Sequence, residues 1–63
     1  MKINTRKIET ELKRLGWRRA TLAKEMKLSR AAITRIMKER TARLSTLNLM
    51  AEILNVDGKD LLI

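Results

Sequence analysis

The sequence predicts a compact all-α domain made of five short helices. Apolar residues recur at helical spacing along the whole chain, and the strict two-residue alternation typical of half-buried strands is absent. Proline, which interrupts helices, is also absent. With 63 residues, the chain has room for one domain at most.

The first helix is predicted over about residues 5–15. Asn4 or Thr5 is suited to cap its start, and Gly16 provides the left-handed residue that often follows a helix. The inward stripe has the spacing i, i+4, i+7 and consists of Ile8, Leu12 and Leu15. Trp17, the only aromatic residue, is expected to cover the joint between this helix and the next.

The second and third helices are short and lie close together in the sequence. The second is predicted over about residues 19–26, and its inward residues are Leu22, Ala23 and Met26. The third is predicted over about residues 29–38, with Ser29 as its N-cap. Its inner face consists of Ile33, Ile36 and Met37.

The last two helices follow at residues 46–55 and 58–62. Helix four is expected to begin after Ser45 and to end near Asn55, and its stripe is Leu47, Met50, Ala51 and Leu54. Helix five is expected to use Asp57 as its cap. Asp60 lies near its positive end, and Leu61 and Leu62 point back to the core.

The net charge of +8 is distributed unevenly. Residues 1–43 hold 14 Lys and Arg and four acids, a net charge of +10, whereas residues 44–63 carry −2. A basic face on a compact domain concentrates polyanions near it. The alternative interpretation is a solubilising surface.

The composition excludes several classes of function. Without Cys or His, the chain offers neither a disulfide nor a thiolate or imidazole metal site. It also lacks a Gly-rich phosphate loop, so we predict no enzyme, no catalytic residue and no cofactor. The longest uncharged run has eight residues, Leu44–Ala51, far short of the ~20 that a spanning helix needs. The first residues, MKINTRKIETE, have no apolar core, so no secretory signal is predicted.

The stretch LAKEMKLSRAAITRIMK, residues 22–38, carries the most informative spacing. Ala23 lies inside helix two, where a small residue lets the next helix cross closely. Leu28 follows five residues later in the turn, and Ile33 and Ile36 follow ten and thirteen residues after the alanine. This spacing indicates a helix-turn-helix motif.

The chain resembles the phage repressor and Cro family (XRE-like) of helix-turn-helix DNA-binding domains. The resemblance runs from IETELKRLGW through LAKEMKLSRAAITRIM to LNLMAEILNVDGKDLL, and all five helices agree in spacing. It implies a lambda-repressor-like fold and a regulator of transcription, most simply a repressor, that binds double-stranded DNA sequence-specifically. It also implies a prokaryotic or phage protein that works in the cytoplasm, at the nucleoid or in the host cell.

The resemblance places helix three in the major groove of DNA. Positions that match the family's base-contacting residues, or face outward beside them, are Ser29, Arg30, Ala31, Thr34 and Arg35. Arginine can grip guanine O6 and N7 with two hydrogen bonds, so a guanine is expected in each half-site. Positions expected to contact phosphates are Arg18, Arg19, Lys38, Arg40, Thr41 and Arg43.

Arg18 and Arg19 stand at the start of helix two, next to the positive end of the helix dipole. This placement costs a few tenths of a kcal/mol each unless an anion docks there. The family commonly has Gln at the position of Arg19 and often Gly at that of Lys27. Lys27 would therefore need a left-handed or irregular backbone, at a cost of about 1 kcal/mol.

The resemblance also implies pairing of two copies on a pseudo-palindromic operator. Helix four has a second apolar stripe, and the positions expected at a weak homodimer contact are Leu49, Ile53, Gly58, Asp60 and Ile63. One alternative is an antitoxin-type domain that neutralises a protein partner through helix 46–55. A basic amphipathic binder of membranes or RNA ranks last, because no long apolar face accompanies the lysines. We expect one domain over residues 1–63, and it stays open whether a longer protein contains it.

Overall fold

The computed structural model describes all 63 residues and contains four α-helices and one 3-10 turn. The helices are α1 (Thr5–Leu15), α2 (Arg19–Glu25), α3 (Arg30–Glu39) and α4 (Leu44–Leu54), and the 3-10 turn covers Gly58–Leu61. No sheet forms, although two isolated β-bridges occur. None of the helices combines the length and the apolar character that crossing a bilayer requires.

The prediction of five α-helices is wrong, because the predicted helix over 58–62 is a four-residue 3-10 turn. Asp57 precedes it but makes no capping hydrogen bond with its side chain. Leu62 is already extended (φ −96°, ψ 151°), because it bridges to Ile3. Asp57 is extended as well, so only the four residues Gly58–Leu61 lie between two extended residues, which is room for a single 3-10 turn.

Helix α4 begins at Leu44, two residues before the predicted start. Ser45 therefore lies in the first turn, and the predicted cap at Ser45 is wrong. Arg43 occupies the N-cap position and forms no capping hydrogen bond with its side chain. The predicted caps at Asn4 and Ser29 are confirmed. The Lys7 N–H donates to Asn4 Oδ1 (3.1 Å), and the Ala32 N–H donates to Ser29 Oγ (3.1 Å).

A residue with a left-handed backbone follows each of the four α-helices within two positions, and only one of these residues is glycine. The φ angles are 71° at Gly16, 59° at Lys27, 56° at Arg40 and 58° at Asn55. After α1, α2 and α4, the N–H of the residue that follows the left-handed one bonds back across the last turn, as in a Schellman motif. The three bonds are Trp17 to Leu12, Leu28 to Ala23 and Val56 to Ala51, at 2.8, 2.8 and 2.9 Å.

Thirteen buried apolar residues form one core in which every α-helix takes part. They are Ile3, Ile8, Leu12, Leu22, Ala23, Met26, Ile33, Met37, Leu47, Met50, Ala51, Leu54 and Leu61. The predicted core residues Leu15, Trp17, Ile36 and Leu62 are only partly buried and pack against it. Ile3 has no exposed surface and was not predicted, since one apolar residue between Lys2 and Asn4 shows no periodicity.

The N-terminal segment, residues 1–4, lies between the α3–α4 loop and the end of the chain. On one side the Ile3 N–H donates to the Arg40 carbonyl (3.0 Å), and the Ala42 N–H donates to the Met1 carbonyl (3.0 Å). On the other side the Asn4 N–H donates to the Leu61 carbonyl (2.7 Å). Residues 1–4 therefore join the α3–α4 loop to the 3-10 turn through backbone hydrogen bonds.

Glu11 is the only buried charged residue. Its carboxylate accepts a hydrogen bond from Arg14 Nε (2.8 Å) and lies 3.3 Å from Lys7 Nζ. Arg14 also donates to the Leu54 carbonyl at the end of α4 (3.3 Å), so the network joins α1 to α4. The hydrogen bond from Arg14, followed by that from Lys7, lowers the pKa of Glu11 against the opposing effect of burial.

Protonation of Glu11 should destabilise the fold. Its folded pKa lies below the ordinary value of 4.5, so below that pH the unfolded chain takes up more protons than the folded chain. The stabilisation is thus present above pH 4.5 and is lost as the pH falls through the folded pKa. In urea unfolding from neutral pH to about pH 3, Glu11→Gln should be less stable than wild type, and the difference should shrink on acidification.

The matched control for this experiment is Glu25→Gln, at an exposed carboxyl that forms no ion pair. Its small stability difference from wild type should keep the same size across the pH range. If the Glu11→Gln difference also stayed constant with pH, the ionised carboxylate would not be what stabilises the network.

Substitution of the left-handed Lys27 by glycine should stabilise the protein. Relief of the left-handed strain outweighs the added freedom of the unfolded chain, so Lys27→Gly should raise the free energy of unfolding by about 0.5–1 kcal/mol. Lys24→Gly, inside α2, removes the same side chain and should lower it by about 0.5–1 kcal/mol. Denaturant unfolding measures both, and equal effects of the two substitutions would contradict the strain at Lys27.

Candidate nucleic-acid interface

Helices α2 and α3 pack through their inner faces around a tight turn. Leu22 and Ala23 of α2 are buried in the same core as Ile33 and Met37 of α3. Lys27 takes the left-handed conformation in the turn, and its N–H donates to the Lys24 carbonyl (3.1 Å). The resulting turn fixes how α3 leaves α2, and the opposite side of α3 has no protein neighbour to cover it.

The outward side of α3, here called the α3 outer face, contains six exposed residues. They are Ser29, Arg30, Ala31, Thr34, Arg35 and Lys38. Residues three or four positions apart share one side of a helix, so 31, 34, 35 and 38 form a continuous strip. The Ser29 hydroxyl oxygen accepts the capping bond and keeps its own O–H free to donate. None of the three cations forms an ion pair within the protein.

Two exposed arginines stand at the start of α2, the helix that packs against α3. Arg18 takes the N-cap position in an extended conformation and makes no capping bond. Arg19 is exposed, and its Nε donates to Glu9 Oε1 of α1 at 2.7 Å. A carboxylate therefore holds Arg19. The two residues are ten apart on different helices, so helical spacing does not predict this pair.

The α3–α4 loop provides the remaining predicted phosphate contacts. Arg40 and Arg43 are exposed, and Arg43 stands at the N-cap of α4. Thr41 is exposed too, but its hydroxyl already donates to the Met1 carbonyl (3.1 Å). A groove of about 440 Å³ separates this loop from α3, and Arg35 and Arg43 are both among its lining residues.

The residues predicted at a dimer contact lie on three different elements. Leu49 and Ile53 are one turn apart on α4, with Leu49 39% exposed. Gly58 and Asp60 are in the 3-10 turn, and Ile63, at the end of the chain, is 79% exposed. The α4 pair and the turn do not share one groove.

A different apolar groove, of about 360 Å³, runs between α4 and the 3-10 turn. Leu44, Leu47, Gly58 and Leu62 are among its lining residues, whereas Leu49 and Ile53 are not. Leu44 is 56% exposed and was not predicted at a contact, because helix four was expected to begin only after Ser45. Of the five predicted dimer residues, only Gly58 lines this groove.

The exposed surface around α3 is rich in hydrogen-bond donors. It contains no group of three or more His, Cys, Asp or Glu side chains that would hold a metal ion. The exposed donors around α3 are guanidinium, ammonium and hydroxyl groups, which hydrogen-bond phosphate oxygens and base edges.

A protein-family model described as helix-turn-helix matches residues 8–61, which is most of the chain. No curated protein and no solved structure matches the sequence. The match includes α2, the turn and α3, together with the flanking helices α1 and α4 and the closing 3-10 turn. The chain therefore belongs to the XRE-like helix-turn-helix family, a family of DNA-binding transcription regulators and not of enzymes.

Proposed function

We propose that this protein is a sequence-specific regulator, acting as a repressor, that reads the major groove of double-stranded DNA with α3. The observation that carries the proposal is the α3 outer face, which is exposed and holds three cations without a carboxylate partner. We further propose that residues 1–63 fold as one DNA-binding domain, which works in the cytoplasm of a prokaryotic cell or phage host.

Sequence selectivity is assigned to the first two turns of α3. Arg30 and Arg35 each present a planar fork that matches guanine O6 and N7. Ala31 lies between them and leaves room for a thymine methyl group. Ser29 and Thr34 supply hydroxyl groups that can donate to or accept from a base edge.

Affinity without sequence choice is assigned to five basic residues and one hydroxyl group. They are Arg18, Arg19, Lys38, Arg40, Arg43 and Thr41. In the sequence they lie at the start of α2, in the last turn of α3 and in the α3–α4 loop. Contacts to phosphates release counterions, so binding should weaken steeply as the salt concentration rises.

Pairing of two copies is assigned to the part of the chain after Arg43, where the charge changes sign. Residues 44–63 carry a net charge of −2, so two copies repel each other least through this end. Leu49 and Ile63 supply exposed apolar surface there, with Ile53, Gly58 and Asp60 nearby in the sequence. Two copies related by a two-fold axis would read a pseudo-palindromic operator as a weak homodimer.

Selection of bound duplexes from a random pool tests base reading directly. Wild type should enrich a site with guanine in each half. Arg30→Ala or Arg35→Ala should relax the preference at one base position and lower the affinity by about 1–3 kcal/mol. The matched control is Lys59→Ala, which removes one exposed cation from the 3-10 turn and should leave the selected sequence unchanged.

If Arg30→Ala and Arg35→Ala both select the same sequence as wild type, α3 does not determine base selectivity. The antitoxin-type alternative would be favoured by two observations together. The protein would bind every duplex with equal, weak affinity, and a protein partner would be recovered with it in stoichiometric amount.

The proposed dimer makes a geometric prediction. Protected half-sites should be centred about 34 Å apart, one turn of the duplex. Leu49→Glu should abolish cooperative binding to the two half-sites while leaving binding to one half-site intact. As a replacement on exposed surface, it should change the free energy of unfolding by no more than about 0.5 kcal/mol. A footprint of one half-site at saturating wild-type protein would show that a monomer binds.

A further inference from the structure

Arg19 differs from the other arginines proposed to contact DNA, because it alone is bonded to a carboxylate. Its Nε lies 2.7 Å from Glu9 Oε1. The other five form no ion pair: Arg18, Arg30, Arg35, Arg40 and Arg43. The pair connects the middle of α1 to the first residue of α2, across the break between the two helices.

The contact uses one edge of the guanidinium and leaves the other edge free. Of the five N–H bonds of arginine, the one on Nε donates to Glu9. No hydrogen bond within the protein uses the terminal nitrogens of Arg19. The side chains of Arg19 and Glu9 are 48% and 39% exposed, so an anion can reach that free edge from solvent.

We propose that Glu9 is a positioning residue for phosphate binding, which holds the guanidinium of Arg19 by its Nε edge so that its terminal fork is presented to the DNA strand. The inference rests on the proposed contact between Arg19 and a phosphate. An arginine loses much rotamer freedom when it is fixed on a ligand. Because Glu9 restricts the side chain beforehand, less freedom is lost when DNA binds.

A carboxylate so close to a phosphate also has an opposite effect, since like charges repel. If repulsion were the only effect, removing Glu9 would strengthen binding, and the rise in net charge from +8 to +9 would add to this. If Glu9 instead positions Arg19, removing Glu9 should weaken DNA binding. The direction of change therefore decides between the two explanations.

The experiment measures affinity for a fluorescent duplex at several salt concentrations, with Glu9→Ala and Glu9→Gln in the wild-type and Arg19→Ala backgrounds. Glu9→Ala should weaken binding roughly three- to tenfold despite the added net charge. Glu9→Gln keeps an oxygen that accepts from Nε and removes the repulsion, so it should bind at least as tightly as wild type.

Arg19→Ala should weaken binding to all duplexes about equally and reduce the salt slope by about one. In that background Glu9→Ala should cause no further loss, because the side chain that Glu9 positions is gone. The matched control is Glu52→Ala, an exposed and unpaired glutamate on α4 whose removal adds the same charge. It should not weaken binding.

The outcomes separate this inference from the proposed function. If Arg19→Ala weakens binding and Glu9→Ala does not, the positioning role is overturned and the phosphate contact stands. If Arg19→Ala changes neither the affinity nor its salt dependence, the phosphate contact of Arg19 and the positioning role of Glu9 are both overturned. Relaxed base selectivity in Arg30→Ala would then still support base reading by α3. If wild type binds no duplex, the proposed function and the inference are both overturned.

Discussion

Helix α3 is held through one face only, and the rest of the structure depends on this constraint. Ile33 and Met37 are buried with Leu22 and Ala23 of α2, so the rotation of α3 about its own axis is fixed by the core. Because side chains repeat every 3.6 residues, burial of one stripe determines which residues point away from it. The left-handed Lys27 then sets the direction in which α3 leaves α2. The exposed surface of α3 thus follows from apolar packing and from the geometry of the turn before it.

The ion pairs of the protein are centred on α1 and do not involve the exposed face of α3. All three ion pairs involve a glutamate of α1, either Glu9 or Glu11, whereas the cations of α3 have no partner. The Glu11 network joins α1 to the end of α4 through Arg14, so the acids of the first helix hold the scaffold together. The unpartnered cations repel one another and destabilise the compact state slightly. A bound polyanion removes that repulsion, so DNA binding and folding stability should be coupled.

Features of the fold that depend on residues within one helical turn were predictable from the sequence. Features that depend on contacts between distant residues were not. The bounds of α1 and the caps at Asn4 and Ser29 are confirmed, because each depends on residues within one helical turn. The exposure of the α3 outer face followed from its apolar stripe in the same way. Ser45 and Asp57 have the chemistry of caps, yet neither caps a helix, since tertiary packing decides where those segments begin. The burial of Ile3 and the Arg19–Glu9 pair depend on contacts across elements, which no periodicity encodes.

The position of residues 1–4 makes the geometry of the α3–α4 loop depend on contacts between residues far apart in the sequence. The Ile3 N–H donates to the Arg40 carbonyl, and the Asn4 N–H donates to the Leu61 carbonyl. Contacts at such sequence separation form late in folding, because the entropy of closing a long loop must be lost before they form. The loop that holds Arg40 and Arg43 should therefore take its final shape only after the helices have assembled.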